Sequence, residues 1–435
     1  MSLFRETIKY YKNPRKILPR LRDKVLSPLN YISAKIWVKL RGRHSLPSYN
    51  ADKKIFLFGG FGGRRYGDNS AIIFEYMLKN RPDVESYWVI RKDCFTEKAT
   101  PRNLPDKKHV VFKDSLKANV LALNADVYVY SHGRYDITDY KKSDNPSCIN
   151  VMLDHGFTAL KKMITDKSSS GMKAHAALPD LDLIAASSAG EAEIHSNEWG
   201  VPKNKIVITG LARHDRLYHL GNKILPSGKN ILYMPTWREW NSRKISLSKS
   251  DFFDQLRKFL IDSDLGEYLN KNGIRLQFYV HMWMREFFDE FKDNFSARNI
   301  DILDQNTDLQ KILLESSLLI TDYSSVCWDF LFLDKPVLFF QFDLDKYLYH
   351  TGSYIDMRND LFGPVAYTTE EAISWIRYFT ETGFSKGPFA NKMESGKNFA
   401  FAYRDGKNCE RLAKAISERL ETRDQPQFPE QTMKP

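Results

Sequence analysis

Five short polar clusters each stand directly behind an apolar run, and their residue types suit one kind of chemistry. Asp154-His155-Gly156 follows CINVML (148–153), and KIVI (205–208) leads into Thr209-Gly210-Leu211-Ala212-Arg213-His214-Asp215. ILYM (231–234) leads into Pro235-Thr236-Trp237-Arg238, LQFYV (276–280) into His281, and LLI (318–320) into Thr321-Asp322-Tyr323-Ser324-Ser325. Ser324 and Ser325 would open a helix over 325–333, whose free N–H groups, positive dipole end and hydroxyls make a phosphate site. Arg213 and Arg238 can grip phosphate with two parallel hydrogen bonds. A histidine titrates near neutrality, so His155, with Asp154 beside it, can take a proton from an attacking hydroxyl. His281 can neutralise charge on a departing phosphate oxygen. Each cluster also has an ordinary structural explanation. A strand-end histidine can be a hydrogen-bonded core group, Thr-Asp an N-cap, Arg213 and Asp215 a surface ion pair, and Pro-Thr-Trp-Arg a turn. Five such clusters in one structural slot point to an anionic ligand. There is no dense group of carboxylates, so a metal ion is not demanded. The glycine loop Gly59-Gly60-Phe61-Gly62-Gly63 lacks a Walker lysine and is a weak nucleotide signal.

The elements that must position these clusters read as strands alternating with helices. Strands are predicted over 54–58, 86–90, 109–112, 126–131, 148–153, 181–187 and 205–210. After a polar linker at 221–230, further strands fall at 230–235, 276–281, 300–303, 318–321 and 336–340. Helices are predicted over 69–79, 250–272, 283–295, 308–316, 325–333 and 369–382. Apolar strands alternating with helices mean parallel sheets covered on both faces. The expected organisation is a basic segment 1–50, two Rossmann-like doubly wound domains at 51–222 and 223–420, and a flexible polar tail 421–435. Ligands in such sheets bind outside the carboxyl ends of the strands, where the five clusters fall.

Of the 435 residues, 42% are hydrophobic, enough for real cores. The four cysteines lack metal or disulfide spacing, which fits a reducing compartment. No apolar run approaches the roughly 18 residues of a spanning helix. The charge is uneven: residues 1–44 hold twelve Lys and Arg against Glu6 and Asp23, a net of +10 out of +11 for the chain. Within that segment Leu29, Ile32, Ile36 and Leu40 recur at helical spacing among Lys35, Trp37, Lys39 and Arg41, and Pro14, Pro19 and Pro28 should cut it into short pieces. A basic amphipathic stretch of this kind fits an anionic membrane surface. Packing on its own domain and binding nucleic acid are the alternatives, but no nucleic-acid motif appears and the remaining chain is near neutral.

ILYMPTWRE, LLITDYSSVCWDFLFLDKPVLFFQFDLDKY, the Asp154-His155-Gly156 stretch with its downstream lysines, and TGLARHD together resemble the CDP-glycerol glycerophosphotransferases, the teichoic-acid primases and polymerases and their capsule-synthesis relatives. The similarity runs from about 54 to 405 and takes in YGDNSAIIFEYMLKN (66–80) and GPVAYTTEEAI (363–373). It implies a GT-B fold, two Rossmann-like domains facing a central cleft. It implies a bacterial peripheral enzyme of the cytoplasmic membrane face. Such an enzyme moves a phospho-polyol from a CDP-activated donor to a hydroxyl of a glycan or lipid-linked acceptor and releases CMP, with no metal or cofactor required. CDP-ribitol as donor, a nucleotide-sugar glycosyltransferase, and a non-catalytic binding subunit are the alternatives. The resemblance implies His155 as base, His281 at the donor phosphates, Ser324 and Ser325 on the diphosphate, and Asp322 near the polyol. Asp154, Gly156, Arg213, Asp215, Thr236, Arg238 and Thr321 would complete the substrate-binding set. The chain departs from the family at Phe157, which stands where a small hydroxyl residue is usual beside the base.

Overall fold

The computed structural model describes residues 14–41, 53–95, 107–139, 144–162, 180–221, 223–224, 226, 228–238, 240, 250–279, 295, 298–303 and 307–424. Seven strands form one sheet: β1 Lys54–Gly59, β2 Val84–Ile90, β3 Val110–Phe112, β4 Val127–Tyr130, β5 Ile149–Met152, β6 Leu183–Ala186 and β7 Ile206–Ile208, in the order β3-β2-β1-β4-β5-β6-β7. Six more form a second: β8 Asn230–Met234, β9 Arg275–Phe278, β10 Ile300–Ile302, β11 Leu318–Thr321, β12 Val337–Phe340 and β13 Val365–Ala366, in the order β10-β9-β8-β11-β12-β13. Pairing is parallel, with Phe56 of β1 opposite both Ser86 and Val127, and Ile320 of β11 opposite both Tyr233 and Leu338.

The alternation of side chains along each strand builds the second core directly. Ile231 and Tyr233 of β8, Leu318 and Ile320 of β11, and Leu338 and Phe340 of β12 enter one apolar cluster. Their neighbours Leu232, Leu319, Val337 and Phe339 enter another. Both faces of the sheet are therefore covered, which is why these strands read as continuous apolar runs.

By packing the chain forms two compact units. One comprises 1–155, 180–184 and 413–435, the other 156–179 and 185–412. Sheet membership changes between β7 and β8, whereas the packing division falls after His155 and within β6.

Every predicted strand is present. Helices Leu116–Asn124, Ala189–Asn197, Ala212–Gly221 and Leu344–His350 lie outside the predicted ranges, and the helices depart from expectation in three further places. Residues 250–272 form two helices, Asp251–Leu260 and Ser263–Asn272, because Asp262 leaves helical geometry and accepts the N–H groups of Asp264 and Leu265 as a new N-cap. Helices Ala390–Ala400 and Asn408–Asp424 follow the last one predicted. The basic segment is one helix, Pro14–Arg41, rather than pieces cut at prolines. Tertiary contact overrides the proline penalty here: this helix packs along helix Leu116–Asn124, Ala34 is fully buried, and Asn30 donates to the Asp114 carbonyl. Of the predicted helix 283–295 only residue 295 is among the described residues, and the tail after 424 lies outside them.

Candidate active site

In the first unit the structure builds a polar cluster around His155, at the carboxyl end of β5. Its ring Nδ1 meets Oδ2 of Asp68, the first residue of helix Asp68–Asn80. The carboxylate is almost wholly buried, while the imidazole is half exposed. The acid that faces His155 is therefore Asp68, not its neighbour Asp154. Asp154 instead accepts the backbone N–H of His155 at 2.6 Å, and its carbonyl accepts from Asn69 Nδ2 at 3.0 Å. It fixes the backbone from which His155 projects.

His132 lies beside this pair, its ring centroid 4.7 Å from that of His155. Buried Asp136 holds it from behind: Oδ2 is 3.6 Å from His132 Nδ1 and also accepts the His132 N–H at 2.9 Å. Burial works against a charge on His132, but Asp136, Asp68 and Asp154 outweigh it and raise its pKa above the ordinary 6.5. The glycine loop serves this cluster. Gly62 donates its N–H to Asp136 Oδ1 at 2.6 Å, and Phe61 donates its own to His132 Nδ1 at 3.3 Å. A Cβ on Gly59 would come within 2.6 Å of the Asp136 carbonyl oxygen, so only glycine fits.

Three non-glycine residues here carry left-handed backbone: Phe61 (φ 54°), Asp68 (66°) and Asp154 (56°). All three touch His155 or its backbone. Strain of this kind collects where side chains must be aimed.

In the second unit the polar clusters at the ends of β8, β11 and β12 join. Arg238 is fully buried. Its Nη2 lies 2.8 Å from Asp322, Nε donates to Asp343 at 2.8 Å, and Nη1 donates to the Thr236 carbonyl at 2.7 Å. Tyr323 hydroxyl also donates to Asp343, at 3.0 Å. Asp322 accepts the backbone N–H groups of Thr236 and Tyr323 at 2.8 and 2.6 Å, and Thr321 hydroxyl donates to the Met234 carbonyl at 2.7 Å. Burial opposes the Arg238 charge, yet the two carboxylates hold its pKa above the ordinary 12.5. A guanidinium with no exposed surface must be paired, and here both partners are protein groups. The expectation that Arg238 grips phosphate and Asp322 meets a polyol is thus corrected: with Thr321 and the Thr236 backbone they lock strand ends together.

Arg213 and Asp215 are corrected in the same sense. Arg213 donates from Nε and Nη2 to Asp329 at 2.9 and 2.8 Å, and His214 Nε2 reaches the same carboxylate at 2.9 Å. Asp215 accepts the N–H groups of Asn408 and Cys409 at 2.9 and 2.8 Å, capping helix Asn408–Asp424. Ser324 and Ser325 lie at the start of helix Val326–Phe332 and are half-buried. A Cβ on Gly156 would stand 2.6 Å from Ser325 Oγ and 3.1 Å from Arg213 Nη2, so glycine is what lets both approach the backbone there. Phe157 is buried and packs edge-on against Trp328 at 4.7 Å. His281 lies outside the described residues.

Asp68, His132, Asp136 and Asp343 were not singled out from the sequence. Asp68 and Asp343 do lie in the stretches YGDNSAIIFEYMLKN and FDLDKY that carry the resemblance. His132 follows strand residues 126–131 and could have been found by the same strand-end rule. A cavity of about 530 Å³ also opens beside Asp343, lined by Trp240, Phe252, Lys346, Arg358 and Tyr367 among others.

The match to known proteins agrees with this architecture. Residues 43–418 match the family described as CDP-Glycerol:Poly(glycerophosphate) glycerophosphotransferase, and the chain belongs to that family. It is 28% identical over 386 residues to a teichoic acid poly(glycerol phosphate) polymerase of Bacillus subtilis (strain 168), covering 80% of this chain and 48% of that protein. It is 27% identical over 359 residues to a teichoic acid glycerol-phosphate transferase of Staphylococcus aureus (strain NCTC 8325 / PS 47), covering 76% of this chain and 85% of that one. The chain thus spans about half the length of the Bacillus relative. A solved structure of the wall teichoic acid polymerase TagF soaked with CDPG superposes with a TM-score of 0.67 at 20% identity, covering 97% of this chain and 98% of that one. The likeness is one of fold: two parallel sheets of GT-B type.

The Arg213–His214–Asp329 group should make the protein acid-labile. Burial holds His214 below its ordinary 6.5, and Arg213 and His214 hold Asp329 below its ordinary 3.8 despite burial. In both cases the unfolded chain binds the proton more readily, so stability falls as pH drops below 6.5 and again below 3.8. Urea midpoints measured at stepped pH should fall more steeply between pH 7 and 5 for the wild type than for His214→Gln, which keeps a donor toward Asp329. Equal slopes would remove His214 from the account.

Proposed function

We propose that this chain transfers glycerol phosphate from CDP-glycerol to a hydroxyl of a glycan or lipid-linked acceptor in cell-surface polymer synthesis, with release of CMP. The observation that carries this reading is the pairing of half-exposed His155 with buried Asp68. A carboxylate on Nδ1 fixes the tautomer and leaves Nε2 as the basic nitrogen. The acceptor O–H gives its proton to Nε2 while its oxygen attacks the β-phosphorus. The bond from that phosphorus to the CMP oxygen breaks, and CMP leaves with the electron pair. Ser324 and Ser325 are assigned to the diphosphate, supported by the close approach of Ser325 and Arg213 to Gly156. His281 is assigned to the leaving phosphate. Transition-state charge and positioning supply most of the rate in phosphoryl transfer.

The test is CMP release and product mass with CDP-glycerol, CDP-ribitol and UDP-sugars over a panel of lipid-linked acceptors. His155→Ala should lower kcat by about 10²-fold or more. Asp68→Asn should lower kcat by at least about 10-fold with KM little changed, since it acts on the base and not on the substrate. Wild-type CMP release by both variants would overturn the assignment, and turnover with UDP-sugars alone would favour the glycosyltransferase.

We further propose that the chain works on the cytoplasmic face of the membrane, held by helix Pro14–Arg41. Among the described residues no helix is long and apolar enough to cross a membrane. The apolar stripe of this helix faces outward, opposite the face that carries Ala34: Leu29, Ile32, Ile36 and Leu40 are 52, 53, 55 and 78% exposed. Lys39 and Arg41 stand exposed beside it, and Arg41 covers the Trp37 ring at 4.4 Å. Lys35, by contrast, is bound to Asp144 at 2.7 Å. An apolar stripe edged by cations suits an anionic lipid surface. Replacing Leu29, Ile36 and Leu40 with Glu should move the protein from anionic-liposome pellets to the supernatant. Unchanged pelleting would refute this anchor.

A further inference from the structure

The cluster around His155 has a chemical capacity that the transfer reaction does not use. One ring nitrogen from each of His132 and His155 and one carboxylate oxygen of Asp68 all lie within 4.8 Å of one another. Two imidazoles and a carboxylate converging on one point are a zinc-type ligand set, with bonds of about 2.0–2.2 Å and a fourth position left open. We propose that Asp68, His132 and His155 form a binding site for a borderline divalent transition-metal ion, Zn²⁺ being the probe, in which the ion replaces the proton between Asp68 and His155.

Three features favour a site over a chance grouping. Asp68 is nearly buried and held by a left-handed backbone, so its oxygen is aimed before any ion arrives. His132 has a buried carboxylate behind it: Asp136 Oδ2 lies 3.6 Å from Nδ1 and favours positive charge on the ring, and coordination through Nε2 leaves that side of the ring in place. His155 is half exposed, which gives the ion a way in. Two imidazoles select zinc, cobalt or nickel over Mg²⁺, which prefers an all-oxygen shell.

The consequence for the chain is antagonistic. A metal on Nδ1 of His155 takes Asp68 away from the ring and withdraws electrons from it, so a bound ion disables the base. Binding itself rests only on the three side chains and is independent of which reaction the chain performs.

The experiment is a competition titration of the full chain with Zn²⁺ against a chromogenic chelator, with Co²⁺ absorption as a second readout. One Zn²⁺ per chain should bind, unaffected by millimolar Mg²⁺. Co²⁺ should give the intense visible bands of a four-coordinate site. His132→Gln should weaken Zn²⁺ by about 10-fold or more and abolish those bands. His155→Gln, at a half-exposed side chain that the fold does not need, is the independent variant and should do the same. Absence of saturable binding at micromolar Zn²⁺, or wild-type affinity in both variants, would overturn the proposal.

Discussion

A guanidinium with no surface exposed to water organises the second sheet. Arg238 could not be buried alone, and the cost of leaving it unpaired exceeds what most single contacts contribute. It is held by Asp322 after β11 and Asp343 after β12, while it sits itself after β8. Aromatic rings close the remaining sides: Phe252 and Tyr323 lie 4.5 and 4.7 Å from the guanidinium carbon, and Tyr323 stacks on Tyr347 at 3.7 Å. The register of three strand ends is therefore fixed by one cation. Ser324 and Ser325, one and two residues beyond Tyr323, inherit their position from it.

The first unit meets the same demand with reversed polarity. There the buried charges are carboxylates: Asp68 below His155 and Asp136 behind His132. Asp136 takes two backbone N–H groups, one from the glycine loop, so the loop closes over an acid rather than over a nucleotide. In both units most of the polarity around the candidate site is spent on buried partners.

The strands and the alternation of elements were legible in the sequence because buried parallel strands leave uninterrupted apolar runs, and all twelve predicted ones are present. The two-residue β13 is too short to leave such a run. The continuous helix Pro14–Arg41 was hidden because its prolines argue against it locally, and only its packing on helix Leu116–Asn124 reverses that. The candidate site was half legible. The strand-end rule singled out His155 and the serines, but a sequence lists polar residues without saying which are spent on each other. Arg213, Asp215, Arg238 and Asp322 looked available for a ligand and are instead committed to buried partners. Asp68, 87 residues from His155 in the chain, is joined to it only because the start of helix Asp68–Asn80 and the end of β5 lie at one edge of the sheet. Phe157 looked like a change beside the base; it belongs to the core.

The left-handed residues around His155 set stability and activity against each other. Glycine would adopt the backbone of Phe61, Asp68 and Asp154 without strain. A chain selected only for resistance to heat would drift toward glycine at all three and relax around an emptied site. Their side chains are what the strain maintains: an edge-on ring, a carboxylate on Nδ1 and a clamp on the backbone of the base. Screens of this protein for thermal tolerance would therefore enrich, at these positions, variants that fold well and no longer aim the side chains around His155.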